Sequence, residues 1–230
     1  MSELEHPRSI RSFVTRAGRI TVAQQRALAQ LWPRYGVEFA PAPLDVAALF
    51  GRAAPLTLEI GFGNGDNLAR LAAAYPRRDF LGIEVHRAGV GRLMLALQAQ
   101  GLGNVRIICH DAVEVLERQI PPKAVAEILI LFPDPWPKKR HHKRRLVQEA
   151  FVQLATQRLG SAGELRVATD WQPYALQMLE TLSAAPALEN LAADGGFVPR
   201  PAEREATRFE RRGERLGHEV WDLAFRRRSD

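Results

Sequence analysis

The stretch Leu56-Thr57-Leu58-Glu59-Ile60-Gly61-Phe62-Gly63-Asn64-Gly65 decides the fold of this chain. Its first five residues are apolar or β-branched apart from Glu59. Such a run is short for a helix and suits a buried strand. Three glycines at alternate positions follow, and glycine lets a chain turn tightly and lets a ligand approach the backbone. Residues Asn67 to Tyr75 then predict a helix that stops near Pro76. Strand, glycine turn and helix make one β–α unit, and the rest of the chain repeats it.

Downstream, Phe80-Leu81-Gly82-Ile83 predicts a second strand and Ala88 to Gln100 a helix closed by Gly101. Val105 to Ile108 predicts a third strand, followed by a short helix over Val113 to Gln119. Val125 to Phe132 predicts a fourth strand stopped by Pro133, followed by a long helix from Arg144 to Leu159. Glu164 to Ala168 predicts a fifth, with a helix over Tyr174 to Leu182. Thr207 to Leu216 reads as a last helix and Val220 to Phe225 as a last strand. This alternation predicts an α/β fold, a doubly wound, mostly parallel sheet covered by helices. Upstream, residues 1–35 read as a basic, flexible arm, with a short helix over Val22 to Trp32 behind Thr21 as its cap. Residues 36–230 form the domain proper.

The composition is that of a globular protein: 230 residues, 46% hydrophobic and 25% charged. One cysteine, Cys109, excludes an intrachain disulfide and points to a reducing compartment, the cytoplasm. No apolar run approaches the roughly 18–20 residues of a membrane span, and the N-terminus shows no signal-peptide h-region. The formal net charge is +6. The octapeptide Lys138-Lys139-Arg140-His141-His142-Lys143-Arg144-Arg145 carries that same +6 alone, so the remainder is balanced. A single concentrated basic stripe points to a polyanion such as nucleic acid. With no aromatic residue in it, the stripe suits phosphates rather than bases. A solvated helix start is the plain alternative.

Ligands of such sheets bind beyond the carboxyl ends of the strands. Five successive strand ends here carry an acid: Glu59, Glu84, Asp111, Asp134 and Asp170. The glycine turn has Asp66 where a dinucleotide fingerprint would have its last glycine. The spacing therefore suits S-adenosylmethionine (SAM), which has no pyrophosphate to seat, better than a nicotinamide dinucleotide. Glu84 at the second strand end is placed to accept from both ribose hydroxyls of an adenosine. Asp111 is placed either to bond the adenine amino group or to cap the following helix. Glu59 is placed to hold the cationic end of the cofactor. No Cys/His cluster has metal spacing, so no metal is expected.

The fourth strand end, Leu131-Phe132-Pro133-Asp134-Pro135-Trp136-Pro137-Lys138, is the most specific segment. Prolines around an aspartate fix a carboxylate beside a planar base. FPDPWPKKRHHKRR, with LEIGFGNG upstream and ATDW downstream, resembles the bacterial tRNA (guanine-N7)-methyltransferase family. ATRFERRGERLGHEVWDL resembles that family's closing motif. The resemblance implies a class I SAM-dependent methyltransferase fold with a seven-stranded sheet. It also implies methylation of the variable-loop guanine of tRNA, position 46. By motif it implies cofactor contacts from Glu59, Gly61, Gly63, Glu84, Asp111 and Asp134, with Asp134 catalytic. Lys138, Asp170, Thr207, Arg208, Phe209 and Glu210 would bind substrate, and Arg140, His141, His142, Lys143, Arg144 and Arg145 would contact RNA.

Guanine N7 carries a lone pair and no proton, so methylation there needs no general base. The protein's task is in-line positioning and electrostatics. Asp134 or Asp170 is placed to read the guanine N1–H and amino group. Tyr174 and Phe209 are stacking candidates for the base, with core packing the competing role for Tyr174; Cys109 and His110 read as packing residues. Two rival classes stand beside this one. A SAM methyltransferase for another RNA or a small molecule explains the acids but, for a small substrate, not the basic stripe. A nonenzymatic RNA-binding protein explains the stripe but leaves the glycine turn and Glu84 without purpose. Monomer and homodimer are equally compatible with the sequence.

Overall fold

The computed structural model describes residues 11–14, 20–201 and 219–229. The expected helix over Thr207 to Leu216, and with it Thr207, Arg208, Phe209 and Glu210, lies outside the described residues. The strands are β1 (Gly36–Val37), β2 (Leu56–Ile60), β3 (Asp79–Ile83), β4 (Val105–Ile108), β5 (Val125–Leu131), β6 (Leu159–Thr169), β7 (Leu188–Asn190) and β8 (Trp221–Arg227). The α-helices are α1 (Val22–Gln30), α2 (Trp32–Tyr35), α3 (Val46–Phe50), α4 (Asp66–Ala74), α5 (Arg87–Ala99), α6 (Ala112–Arg118), α7 (Glu149–Arg158) and α8 (Gln172–Ser183).

Among the described residues the strands form one sheet in the order β1-β4-β3-β2-β5-β6-β8-β7. Strands β1 to β6 pair in parallel, while β8 runs antiparallel to both β6 and β7. The doubly wound expectation holds, with eight strands where the family resemblance implied seven. The two-residue β1 lies along the outer edge of β4, pairing Gly36 with Ile107 and Val37 with Ile108. It carries no apolar run of its own; the open edge of β4 makes it a strand.

All five residues of β2 and of β3 are buried, as expected of parallel strands covered on both faces. One apolar layer joins Leu58, Ile60, Ile128 and Ile130 to α6, α7 and α8. The other joins Phe80, Leu93, Met94 and Leu97 to α1, α2 and α4. Residues 22–35, assigned to a flexible arm from their charge, are folded into this second layer. Ala27, Leu31 and Tyr35 are buried there, spaced four apart so that they form one helical stripe. The arm's remaining arginines precede that stripe. Thr21 caps α1 with a reciprocal pair of hydrogen bonds to Gln24, as the sequence suggests. A Cβ on Gly91 of α5 would come within 2.8 Å of the Gln24 carbonyl oxygen, so α1 and α5 meet backbone to backbone.

The expected helix from Arg144 to Leu159 is corrected. The basic stripe forms a 3-10 helix over Lys139–Arg144, the chain extends through Arg145, and α7 begins only at Glu149. Arg145 is drawn inward by its side chain, and a continuous helix would carry it elsewhere. The switch point, where the sheet order reverses, lies between β2 and β5. The crevice of a doubly wound sheet opens there.

Candidate active site

A cavity of about 400 Å³ opens at this switch point, within the size range of small-molecule sites. Its floor is the end of β2 with the glycine turn. Its walls come from Glu84 to His86 after β3, from His110 and Ala112 beyond β4, and from Ile130 to Asp134 at the end of β5. Gly61 and Gly63 have φ of +70° and +58°, and a Cβ on either would meet nothing within 4 Å. Their backbones therefore face open space. Gly65, at φ +77°, is packed instead: a Cβ there would strike Leu93 of α5 at 2.7 Å.

Glu84 is buried, and its carboxylate organises the rim. Oε2 accepts from Gly63 N at 2.9 Å, and Oε1 accepts from Val85 N at 2.7 Å and His86 N at 2.9 Å. A carboxylate offers about four lone-pair sites, so Glu84 holds the turn and keeps acceptor capacity toward the cavity. Glu59 is only 2% exposed. Its Oε2 accepts from Asn67 Nδ2 at 3.1 Å, and Asn67 Oδ1 accepts from Arg70 at 3.1 Å. Burial, only partly offset by the Asn67 hydrogen bond and the Arg70 charge, raises the Glu59 carboxyl to about 7. A buried acid held short of full compensation beside a cavity is suited to a cationic ligand.

Asp111 takes the capping role: its Oδ1 accepts from Val113 N at 2.9 Å at the start of α6. His110 lines the cavity, which its reading as a packing residue missed. Its ring stacks on Phe39 at 3.8 Å, and Nε2 lies 2.6 Å from Glu114 Oε2. Cys109 is half-buried, and burial pushes its thiol up. Ser12, Phe13, Asn67 and Arg70 also line the cavity. Asn67 and Arg70 carried a signal, as polar residues opening the helix after the glycine turn. Ser12 and Phe13 carried none, since they arrive from the far end of the chain.

The segment after β5 is backbone-strained. Phe132 and Trp136 have φ of 54° and 45° without being glycine, which costs about 1–2 kcal/mol each. Strain of this kind collects at functional sites. Asp134 between them is exposed, lines the cavity, and has no side-chain partner among the described residues. Trp136 lies outside the cavity: Nε1 donates to Ser12 O at 3.0 Å and its ring faces the Arg144 guanidinium at 4.0 Å. Asp170 follows β6 directly, at the same sheet edge. Tyr174 is fully buried and its hydroxyl accepts from Val147 N at 3.0 Å. It is a core residue and does not reach a substrate base.

The basic stripe is divided. Lys138, Lys139, Arg140 and Lys143 are exposed. Arg144 donates to the carbonyls of Arg11 (3.1 Å) and Phe13 (2.9 Å). Arg145 is 4% exposed and points inward. His141 is held below its ordinary pKa, by local desolvation first and then by Arg140, Arg144, Lys138 and Lys143. It adds no charge to the stripe at neutral pH.

A tRNA (guanine-N(7)-)-methyltransferase of Leifsonia xyli is 58% identical over 216 residues, spanning 94% of this chain and 95% of the relative. The chain belongs to that family. A second member, from Methylococcus capsulatus, is 58% identical over 221 residues, 96% of this chain and 95% of that one. A family model described as "Putative methyltransferase" matches residues 53–223. Among solved structures, a 16S rRNA methyltransferase, KamB, superposes with a TM-score of 0.54 at 16% identity, covering 94% of this chain and 97% of that one. At that identity the likeness establishes the fold, the class I methyltransferase arrangement. Among the described residues no cluster of three or more His, Cys, Asp or Glu side chains is arranged to hold a metal. No described helix is long and apolar enough to cross a membrane.

Proposed function

We propose that this protein transfers the methyl group of SAM to N7 of the variable-loop guanine, position 46, of tRNA. One observation carries the reading. The strained loop that brings Asp134 to the cavity runs without a break into the exposed cations from Lys138 to Lys143. One wall of the cavity, Asp134 and the exposed cations thus lie on one stretch of chain. The activity of its relatives from Leifsonia xyli and Methylococcus capsulatus, tRNA (guanine-N(7)-)-methyltransferases, supports it.

The cavity residues suit SAM. Glu84 would take the ribose hydroxyls, Glu59 the cationic amino-acid end, and the backbones of Gly61 and Gly63 would lie against the ligand. Asp111, between the cavity residues His110 and Ala112, would bond the adenine amino group through the oxygen that does not cap α6. When bound, SAM supplies a methyl already activated by its sulfonium. The chain's own residues position the guanine and stabilise the positive charge its ring acquires. A carboxylate at Asp134 or Asp170 accepting from guanine N1–H and the amino group does both and excludes adenine. We place this work in the cytoplasm, in keeping with a tRNA substrate.

The test is methyl transfer from labelled SAM to unmodified tRNA, with the product mapped by cleavage at N7-methylguanine. Label at guanine 46, lost when that base is adenine, is the expected result. Transfer to a small acceptor without tRNA, or label at another site, would overturn the reading. In the same assay Lys139, Arg140 and Lys143 are expected to act as phosphate contacts. Replacing all three with alanine should weaken tRNA binding and reduce the slope of log K against log salt by about 2–3. SAM affinity should not change. An unchanged salt slope would remove these side chains from the RNA surface.

A further inference from the structure

The last arginine of the basic stripe faces the protein interior. Arg145 Nε donates to the Pro135 carbonyl at 2.9 Å, and one NH group donates to Gln177 Oε1 of α8 at 3.0 Å. The other NH group lies 3.2 Å from His142 Nε2. A guanidinium only donates, so in this contact His142 can only accept. The Arg145 guanidinium also lies over the Tyr174 ring at 4.7 Å. None of these Arg145 partners is a carboxylate. Gln177 is itself fixed, its Nε2 donating to the Val147 carbonyl at 2.8 Å.

The loop this arrangement grips has few other means of support. Pro133, Pro135 and Pro137 have no backbone N–H, so the loop cannot hold itself with a ladder of its own. Its backbone is strained at both Phe132 and Trp136. Phe132 N donates to the Ala168 carbonyl at 2.8 Å, which ties the entry of the loop to β6. The Trp136 indole ties the exit to Ser12. Between these points the Pro135 carbonyl, next to Asp134, receives its bond from Arg145.

We infer that Arg145 is a positioning residue that fixes the Pro133–Pro137 loop, and with it Asp134, and is not a contact for RNA phosphate. The division of labour follows from burial. Exposed Lys139, Arg140 and Lys143 meet the polyanion, while Arg145 spends its directional donors on the loop. Lysine keeps the charge of arginine but loses the planar fork, so Arg145→Lys separates the two roles.

The inference rests on Asp134 belonging to the reacting site, and the experiment tests the two separately. Full-length protein is assayed at saturating tRNA and SAM, and tRNA binding is measured across a salt series. Arg145→Lys is expected to lower turnover about 30–100-fold, the scale of an ångström-sized misplacement. Its tRNA Kd should stay within about twofold, with an unchanged salt slope. Gln177→Ala, which leaves the arginine in place and removes one anchor, should lower turnover in the same direction by about 3–10-fold. The double variant should be little worse than Arg145→Lys alone, because both act through one loop. Wild-type turnover in Arg145→Lys with a weakened tRNA Kd and a shallower slope would overturn the inference. If Arg145→Lys does not fold, Gln177→Ala decides, and wild-type turnover in it would overturn the inference. Full turnover in Asp134→Asn would instead sink the site assignment itself, whatever Arg145 does.

Discussion

Asp134→Ala is expected to lower turnover by about 10²–10³-fold, the range seen when one preorganised electrostatic group is removed. The melting temperature should stay within about 2 °C of wild type. Both halves follow from the same geometry. The Asp134 side chain is exposed at the cavity and supports nothing among the described residues, so its loss leaves packing intact. Its backbone is nonetheless held in a strained loop pinned at Phe132, Pro135 and Trp136. A fold that holds an otherwise unsupported carboxylate this firmly does so for what arrives there. Turnover and melting temperature, measured on one preparation, check the prediction. Near wild-type turnover at guanine 46 would remove Asp134 from the chemistry and leave Asp170 as the base-reading acid.

Glu59→Gln is expected to weaken SAM binding at pH 8 by about 10–100-fold and to abolish its pH dependence. In the cofactor-free protein the Glu59 carboxyl sits at about 7, pushed up chiefly by burial. A cationic ligand favours the ionised form, so SAM affinity in the wild type should rise with pH and level off above about 7.5. Stability should move the other way. A carboxyl raised in the folded state contributes stability that is fully present below its unfolded value of 4.5 and is lost as pH rises through about 7. Without cofactor, the glutamine variant should therefore gain on the wild type as pH rises. The gain is at most about 3 kcal/mol at pH 8. Calorimetric SAM titrations and thermal melts at pH 5.5 and 8 read both effects. A wild-type SAM affinity that does not change with pH would show that Glu59 is ionised before the ligand binds.

Much of this protein was legible in its sequence because its information is local. The buried strands β2, β3 and β4 are short apolar runs with turn residues at their ends; β2 and β4 appear as read, and β3 starts one residue earlier, at Asp79. Glu84 and Asp170 follow from register, since the residue directly after a parallel strand lies at the sheet edge whatever the rest of the chain does. The long helix expected from Arg144 failed for a non-local reason. Helix propensity spans Arg144 to Leu159, but Arg145 is non-helical and bonded to Pro135 and Gln177, and the chain turns at Leu146 before α7 begins at Glu149. In residues 22–35 the basic charge masks the Ala27, Leu31, Tyr35 stripe, whose burial only the packing against α5 makes visible.

The sequence by itself determined the parallel α/β architecture, the family, the glycine turn and the location of the basic stripe. Each of these depends on residue type and spacing within one unit of chain. The tertiary structure decided which cations of the stripe face solvent and which support the loop. It also brought Ser12 and Phe13 to the cavity wall and raised the Glu59 carboxyl. Those properties depend on burial and on partners distant in sequence, and spacing along the chain carries no record of either.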